Sequence, residues 1–176
     1  MRIITGKYKG RHFDIPRSFK ARPTTDFAKE NIFNVLTQYV DLEDASALDL
    51  FSGTGSITLE LLSRGCSRVV SVEADALHYS FICGFVEKLQ DLNAFPVRAD
   101  VFRFLSKCHE QFDFIFADPP YALPQLEQLP DIILSHQLLR EDGLFVLEHG
   151  KTQDFSNHPR IVDHRAYGSV NFSFFK

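Results

Sequence analysis

From residue 45 onward, short apolar runs alternate with segments of helical periodicity, and this alternation restricts the fold more than any other feature of the chain. Candidate strands fall at 47–51, 69–73, 94–98, 112–117 and 144–148. Between them Leu77, Phe81, Phe85 and Leu89 form a helical stripe, residues 59–62 a shorter one and residues 101–105 a brief helix; Pro130 suits the first turn of a helix ending near Leu139. Strands separated by helices in this way predict a parallel sheet covered on both faces. The tail departs from the pattern. Residues 161–167, then Gly168-Ser169, then Val170, Phe172 and Phe174 in alternation predict an antiparallel hairpin with a two-residue turn.

In open parallel sheets ligands bind beyond the carboxyl ends of the strands. Here successive strands end at or beside Asp49, Glu73, Asp100 and Asp118. One such acid would be an ordinary helix cap, as Asp75 is expected to be, but four on one rim ask for a chemical reason. Asp49-Leu50-Phe51-Ser52-Gly53-Thr54-Gly55 places two glycines where a strand turns into a helix and a ligand can approach the backbone. A dinucleotide loop would carry a third glycine three positions on, where Thr58 stands, and the Gly-Lys-Ser/Thr ending of a P-loop is absent. An acidic rim instead suits S-adenosylmethionine, which has positive sulfonium and ammonium groups, no phosphate, and ribose hydroxyls that need acceptors.

Asp118-Pro119-Pro120-Tyr121 follows the fourth strand. Two prolines stiffen this loop and remove two backbone donors, leaving carbonyls and a carboxylate as acceptors beside an aromatic ring. A planar exocyclic amine, with two hydrogens to donate and a π face to stack, matches that set, although a Pro-Pro turn after a core strand would read the same way.

The formal charge of −4 is unevenly spread. Residues 1–25 hold seven Lys/Arg against Asp14 alone, giving +6, and the remaining 12 basic and 22 acidic residues give −10. A basic arm on an acidic body suits phosphate contact, or simply a solvated positive surface. Weak alternation around Lys7-Tyr8-Lys9-Gly10 predicts a hairpin with Gly6 or Gly10 near its turn, and Arg22-Pro23-Thr24-Thr25-Asp26 leads into a helix from Asp26 to about Val40. No apolar run is long enough to span a membrane, and residues 1–10 lack the middle of a signal peptide. Cys66, Cys83 and Cys108 have neither paired spacing nor even number, so free packed thiols in a reducing cytoplasm are expected. No clustered His/Cys set suggests a metal. His149, just past the fifth strand, is expected as a partly exposed strand-end residue.

Taken together, Asp-x-Phe-x-Gly-x-Gly, an acid ending the second strand and Asp-Pro-Pro-Tyr ending the fourth resemble the class I S-adenosylmethionine-dependent methyltransferases that modify exocyclic amines. More narrowly, the chain is similar to the bacterial RsmD family of 16S ribosomal RNA guanine-N2 methyltransferases. The resemblance is carried by Arg2-Ile3-Ile4-x-Gly6-Lys7-Tyr8-x-Gly10-Arg11, Arg22-Pro23-Thr24-Thr25-Asp26 with Glu30 and Phe33, Leu59-Glu60-x-Leu62-Ser63-Arg64-Gly65 and Asp118-Pro119-Pro120-Tyr121, and runs from residue 2 to at least 148. It departs at Phe27 and Lys29, where the family often has arginine.

The resemblance implies a Rossmann-like α/β fold: a mostly parallel seven-stranded sheet with an antiparallel C-terminal hairpin, residues 26–176, preceded by a basic β-hairpin arm, residues 1–25. It implies cofactor contacts from Asp49, Phe51, Gly53 and Gly55 at the methionine end, from Glu73 at the ribose, from Asp100 and Val101 at the adenine, with Ala74 or Phe102 flanking it, and from Asp118. Asp118, Pro119, Pro120 and Tyr121 would hold the guanine. Lys7, Lys9, Arg11, Arg22, Thr24, Thr25 and Lys29 would meet RNA. The partner implied is 16S ribosomal RNA, within a small-subunit particle, and the enzyme is expected to be a cytoplasmic monomer. Three other functions share part of this pattern. A DNA amino-methyltransferase has the same loop, but the 55 residues after Tyr121 leave little room for a sequence-reading domain. A protein-glutamine methyltransferase would not call for the arm, and a non-catalytic RNA-binding module would not call for the acids.

Overall fold

The computed structural model describes residues 1–19 and 25–176. Five strands, β1 (Ser46–Leu50), β2 (Arg68–Glu73), β3 (Ala94–Arg98), β4 (Phe112–Ala117) and β5 (Leu139–His149), alternate with α2 (Ser56–Ser63), α3 (Ala76–Leu89), α4 (Val101–Leu105) and α5 (Leu129–Ser135). Helix α1 (Asp26–Leu36) precedes them, and β6 (Ile161–Tyr167) and β7 (Val170–Phe175) close the chain. The strands form one sheet in the order β3-β2-β1-β4-β5-β7-β6. The first five pair in parallel, and β7 is antiparallel to both β5 and β6. The expected seven-stranded sheet with its reversed C-terminal hairpin is therefore present.

Because side chains alternate across a strand, the sheet has two apolar faces. Ala47, Phe114, Phe116, Leu144, Val146, Phe172 and Phe174 pack under α1 and α2. Leu48, Leu50, Ile115, Ala117, Phe145 and Leu147 pack under α4 and α5. The chain leaves β1 in one direction and β4 in the other, so the crevice between their carboxyl ends is the topological switch point of the sheet.

Two boundaries differ from the sequence expectation. Helix α1 ends at Leu36 rather than near Val40, because Thr37 turns its hydroxyl back to the Asn34 carbonyl and the Tyr39 hydroxyl reaches out to Asp163 (2.7 Å). Strand β5 begins at Leu139, five residues early, through a register shift at the turn that includes Asp142 in the left-handed region.

The N-terminal arm folds back on itself as a short antiparallel hairpin: Arg2 bridges His12, the Ile3 N–H donates to the Arg11 carbonyl (3.2 Å), the Phe13 N–H to the Met1 carbonyl (3.0 Å) and the Met1 ammonium to the Phe13 carbonyl (3.1 Å). The body holds it as well. Both oxygens of the buried Glu60 carboxylate accept backbone N–H groups of the arm, from Ile4 (2.9 Å) and Thr5 (3.0 Å), so two peptide groups that no strand partner satisfies are bonded. Gly6 lies so close to α2 that a Cβ there would sit 1.8 Å from the Ser63 carbonyl oxygen, with φ at +87°. Ile3, Leu59, Ile82 and Phe85 bury the seam between arm, α2 and α3.

Lys29, expected to meet RNA, belongs to this seam and is 1% exposed. Its ammonium donates to the Arg2 carbonyl (2.6 Å) and the Ser56 hydroxyl (3.0 Å), with Glu60 and Asp26 each 3.9 Å away. Burial lowers its pKa, against the raising influence of those two carboxylates. Removing one partner of such a group strands the other in the interior. Lys29→Ala is therefore expected to cost about 3 kcal/mol of stability, read as a lower urea midpoint with undiminished slope; a midpoint equal to wild type would show that the seam does not hold the arm.

Candidate active site

Strand alternation carries past the apolar residues to the acids. Ala47 and Asp49 share a face, as do Phe116 and Asp118, and Val146 and Glu148, so the three carboxylates point to the α1–α2 side of the sheet at its carboxyl rim. Parallel pairing of β1 with β4 sets Asp49 opposite Phe116, and the Asp118 N–H extends the ladder to the Leu50 carbonyl (3.2 Å). The loop Asp118-Pro119-Pro120-Tyr121 then turns over the crevice: Pro119 is buried, Pro120 is exposed, and Tyr121, 42% exposed, donates its hydroxyl to Glu148 (3.1 Å).

Burial, with neighbouring negative charge, raises the proton affinity of Asp49 and Asp118. Asp49, 1% exposed, accepts a 2.5 Å hydrogen bond from the Thr58 hydroxyl, yet burial still pushes its pKa up to about 7. The Asp118 carboxyl is held well above the usual carboxylate range, by burial first and then by the negative charges of Glu148 and Asp49. Among the described residues no lysine or arginine pairs with Asp49 or Asp118.

The glycine loop sits beside them. Phe51 is forced to a φ of 58°, a conformation that costs a non-glycine residue about 1–2 kcal/mol. The Ser52 hydroxyl pins the bend through the Asp49 (2.7 Å) and Val72 (3.2 Å) carbonyls. Glu73, ending β2, accepts from the Gly53 N–H (2.7 Å) and the Asp75 N–H (2.8 Å). A carboxylate has about four acceptor sites, so two remain for hydroxyl groups. Gly55 makes the tight turn its position suggested, with φ at +75°, and an added Cβ would also meet the Phe85 ring at 2.6 Å. Ala74 is exposed at the end of β2. Asp100 is also exposed and caps α4 through the Arg103 N–H (3.0 Å), beside the buried Val101. Phe51 and Phe102 stand edge to face, 6.5 Å apart, between these two ends of the cleft.

The basic residues are less gathered. Arg22 and Thr24 lie outside the described residues. Thr25 caps α1, its hydroxyl accepting from the Ala28 N–H (3.2 Å). Lys7 donates to Asp91 (3.0 Å), and its backbone N–H bonds the Ser63 carbonyl (2.8 Å), at the opposite end of α2 from the glycine loop. Eight helical residues separate the two points by about 12 Å, so the turn bearing Lys7 and the exposed Lys9 and Arg11 is set back from the crevice. His149 is buried rather than partly exposed, its ring bridging the Gly150 carbonyl and the Ser173 hydroxyl, 2.8 Å each, between β5 and β7. Sequence reasoning missed Glu148 and Thr58. Glu148 ends an apolar strand just as Asp118 does, and the same signal applied to the fifth strand would have found it.

A switch-point crevice lined by carboxylates and without a P-loop suits a cationic cofactor, and the reversed β7 completes the class I methyltransferase fold. Over the whole chain the fold superposes on a hypothetical protein of Thermus thermophilus with a TM-score of 0.87, at 29% identity, covering 100% of this chain and 99% of that one. The model of a family described as conserved hypothetical protein 95 matches residues 1–176. Ribosomal RNA small subunit methyltransferase D of Escherichia coli K12 is 31% identical over 148 residues, 84% of this chain and 74% of that protein. Its namesake from Haemophilus influenzae is 32% identical over 159 residues, 86% and 79%. The chain belongs to this family, the RsmD family of S-adenosylmethionine-dependent methyltransferases. Among the described residues no helix is long and apolar enough to cross a membrane, and no cluster of three His, Cys, Asp or Glu is placed to hold a metal ion.

A carboxyl whose pKa is higher folded than unfolded binds more protons in the native state, so the stability it contributes is complete in acid and is lost as pH rises through its folded pKa. Cofactor-free protein is therefore expected to lose thermal stability as pH rises from about 4, where the unfolded carboxyl ionises, to about 7, the raised value of Asp49. Asp49→Asn, which cannot ionise and can still accept from Thr58, should show a shallower fall of Tm with pH; parallel curves would contradict the assignment.

Proposed function

We propose that this enzyme transfers the methyl group of S-adenosylmethionine to the exocyclic N2 amine of a guanine in small-subunit ribosomal RNA. The observation that carries the reading is the placement of Asp118 and Tyr121 at the mouth of the acid-lined crevice, in a chain whose relatives are named small-subunit ribosomal RNA methyltransferases.

The residues present fit the cofactor. Asp49 and the Gly53–Gly55 turn would hold its methionine end, Glu73 its ribose through the two free acceptor sites, and Asp100 with Val101 its adenine, with Phe51, Ala74 and Phe102 alongside. Bound there, it supplies a methyl group on a positively charged sulfur. The rest falls to the protein. A guanine amine is a poor nucleophile because its lone pair is delocalised into the ring. Asp118 and the Pro119 carbonyl accept its two N–H groups, and the Tyr121 ring stacks on a base turned out of its helix, which fixes the amine with its lone pair toward the methyl carbon. As positive charge grows on nitrogen, the Asp118 carboxylate would stabilise it, helped by Glu148, whose charge is delivered to the same side, and the surplus N2 proton would then leave to solvent. Catalysis by positioning and charge needs no covalent enzyme intermediate.

The exposed Lys9 and Arg11 would reach phosphates of an RNA helix that extends past the mouth, while Arg2 and Lys7 spend part of their charge on Asp26 (3.7 Å) and Asp91 (3.0 Å). A small chain with one short arm favours recognition by RNA shape, as in an assembled small-subunit particle.

Transfer of labelled methyl to naked small-subunit RNA, small-subunit particles, transfer RNA, DNA and bulk protein, followed by digestion to monomers, tests the reading. N2-methylguanosine from small-subunit RNA is expected, and label confined to DNA or protein would overturn the substrate. Asp118→Ala should lower turnover at least 1,000-fold, on the order of an electrostatic stabiliser's loss, with cofactor affinity changed only a few-fold.

A further inference from the structure

Phe27 occupies the first turn of α1 and is 67% exposed, an unusual amount of apolar ring for a residue flanked by Asp26 and Glu30. Its setting is not a random surface. The Lys29 bond to Ser56 places the start of α1 over the beginning of α2, on the face of the sheet that carries Asp49, Asp118 and Glu148. Edge to face against Phe27, with centroids 6.3 Å apart and planes at 88°, stands Tyr167. Tyr167 ends β6, where it pairs with Val170, one residue beyond the pairing of Asn171 with His149 at the end of β5. Two strand spacings separate it from β5, about 10 Å. Behind it, Phe172 lies 6.0 Å away and in turn 6.4 Å from Phe116, two residues before Asp118. A continuous aromatic train thus runs from the end of β4, before Asp118, to an exposed ring at the carboxyl rim of the sheet.

We infer that the Phe27 ring, buttressed by Tyr167, is a stacking platform for an unpaired base of the RNA next to the target guanine. The inference rests on the ribosomal RNA reading above. Turning a base out of its helix leaves its neighbour short of one stacking partner, and a fixed ring at the same rim replaces that partner. Stacking suits every base, because each has a π face, so Phe27 contributes affinity and register without selecting sequence. A single ring bordering a carboxylate-lined mouth is too small an apolar surface to seat a protein partner, but it matches the area of one base.

The chain contains no tryptophan, so Phe27→Trp introduces a sole indole at the platform. Its fluorescence is expected to be quenched on titration with single-stranded oligoadenylate and to be unaffected by polyphosphate, which carries the charge without the bases. No quenching, or equal quenching by polyphosphate, would overturn the inference. In steady-state methylation of small-subunit RNA, Phe27→Ala should raise KM for RNA about five-fold or more, as expected for loss of one stacked base, with affinity for S-adenosylhomocysteine unchanged. Phe27→Trp should restore KM, and an unchanged KM in the alanine variant would refute the platform. A wild-type enzyme that leaves small-subunit RNA unmethylated would count against the substrate reading, whereas the quenching titration requires no methyl transfer and judges the platform by itself.

Discussion

Carboxylates brought together at the end of a parallel sheet, without a lysine or arginine among the described residues to pair Asp49 or Asp118, set the terms for the rest of this structure. Strand pairing fixes the arrangement, because the register of β1 against β4 and the two-residue side-chain period leave Asp49 and Asp118 nowhere to point but into the same crevice. Burial raises the proton affinity of both groups, and at Asp118 the charges of Glu148 and Asp49 add to it. A positively charged cofactor in this crevice would offset that cost.

The loop beside that crevice is held from behind as well as from within. Gly55 is fixed by the Phe85 ring, Ser56 by the Lys29 ammonium, and the Gly53 N–H by Glu73, so the loop after β1 is tied at three points to α3, α1 and β2. The arm is one of these supports. Charge alone made it look like a surface for phosphate, whereas Glu60 binds its backbone and Asp91 one of its lysines. Among its described residues Lys9, Arg11 and Arg17 are exposed and left for contacts beyond the mouth.

The sheet was legible because its strands are apolar runs bounded by turn residues, and the hairpin because Gly168-Ser169 leaves little choice of turn. Asp49, Glu73 and Asp118 were legible because strand ends are where open sheets bind. Lys29 was not, since a lysine at a helix start looks like a surface cation until a carboxylate 31 residues away in sequence is seen beneath it. Glu148 was overlooked as the last residue of a core strand, and the buried His149 because its partner Ser173 belongs to a strand that returns from the end of the chain. In each case the missing information was a contact between distant segments, which periodicity does not report.

The central claim is that a cationic cofactor relieves the crowding of these carboxylates, and proton linkage tests it directly. Calorimetric titration near pH 7 with S-adenosylmethionine and with S-adenosylhomocysteine, each in two buffers of different ionisation enthalpy, counts the protons released on binding. The two ligands share the ammonium and differ in the sulfonium charge. Binding of S-adenosylmethionine should release more protons than binding of S-adenosylhomocysteine, because its extra charge draws the carboxyls into their ionised form. Equal release, or proton uptake with S-adenosylmethionine, would contradict the account.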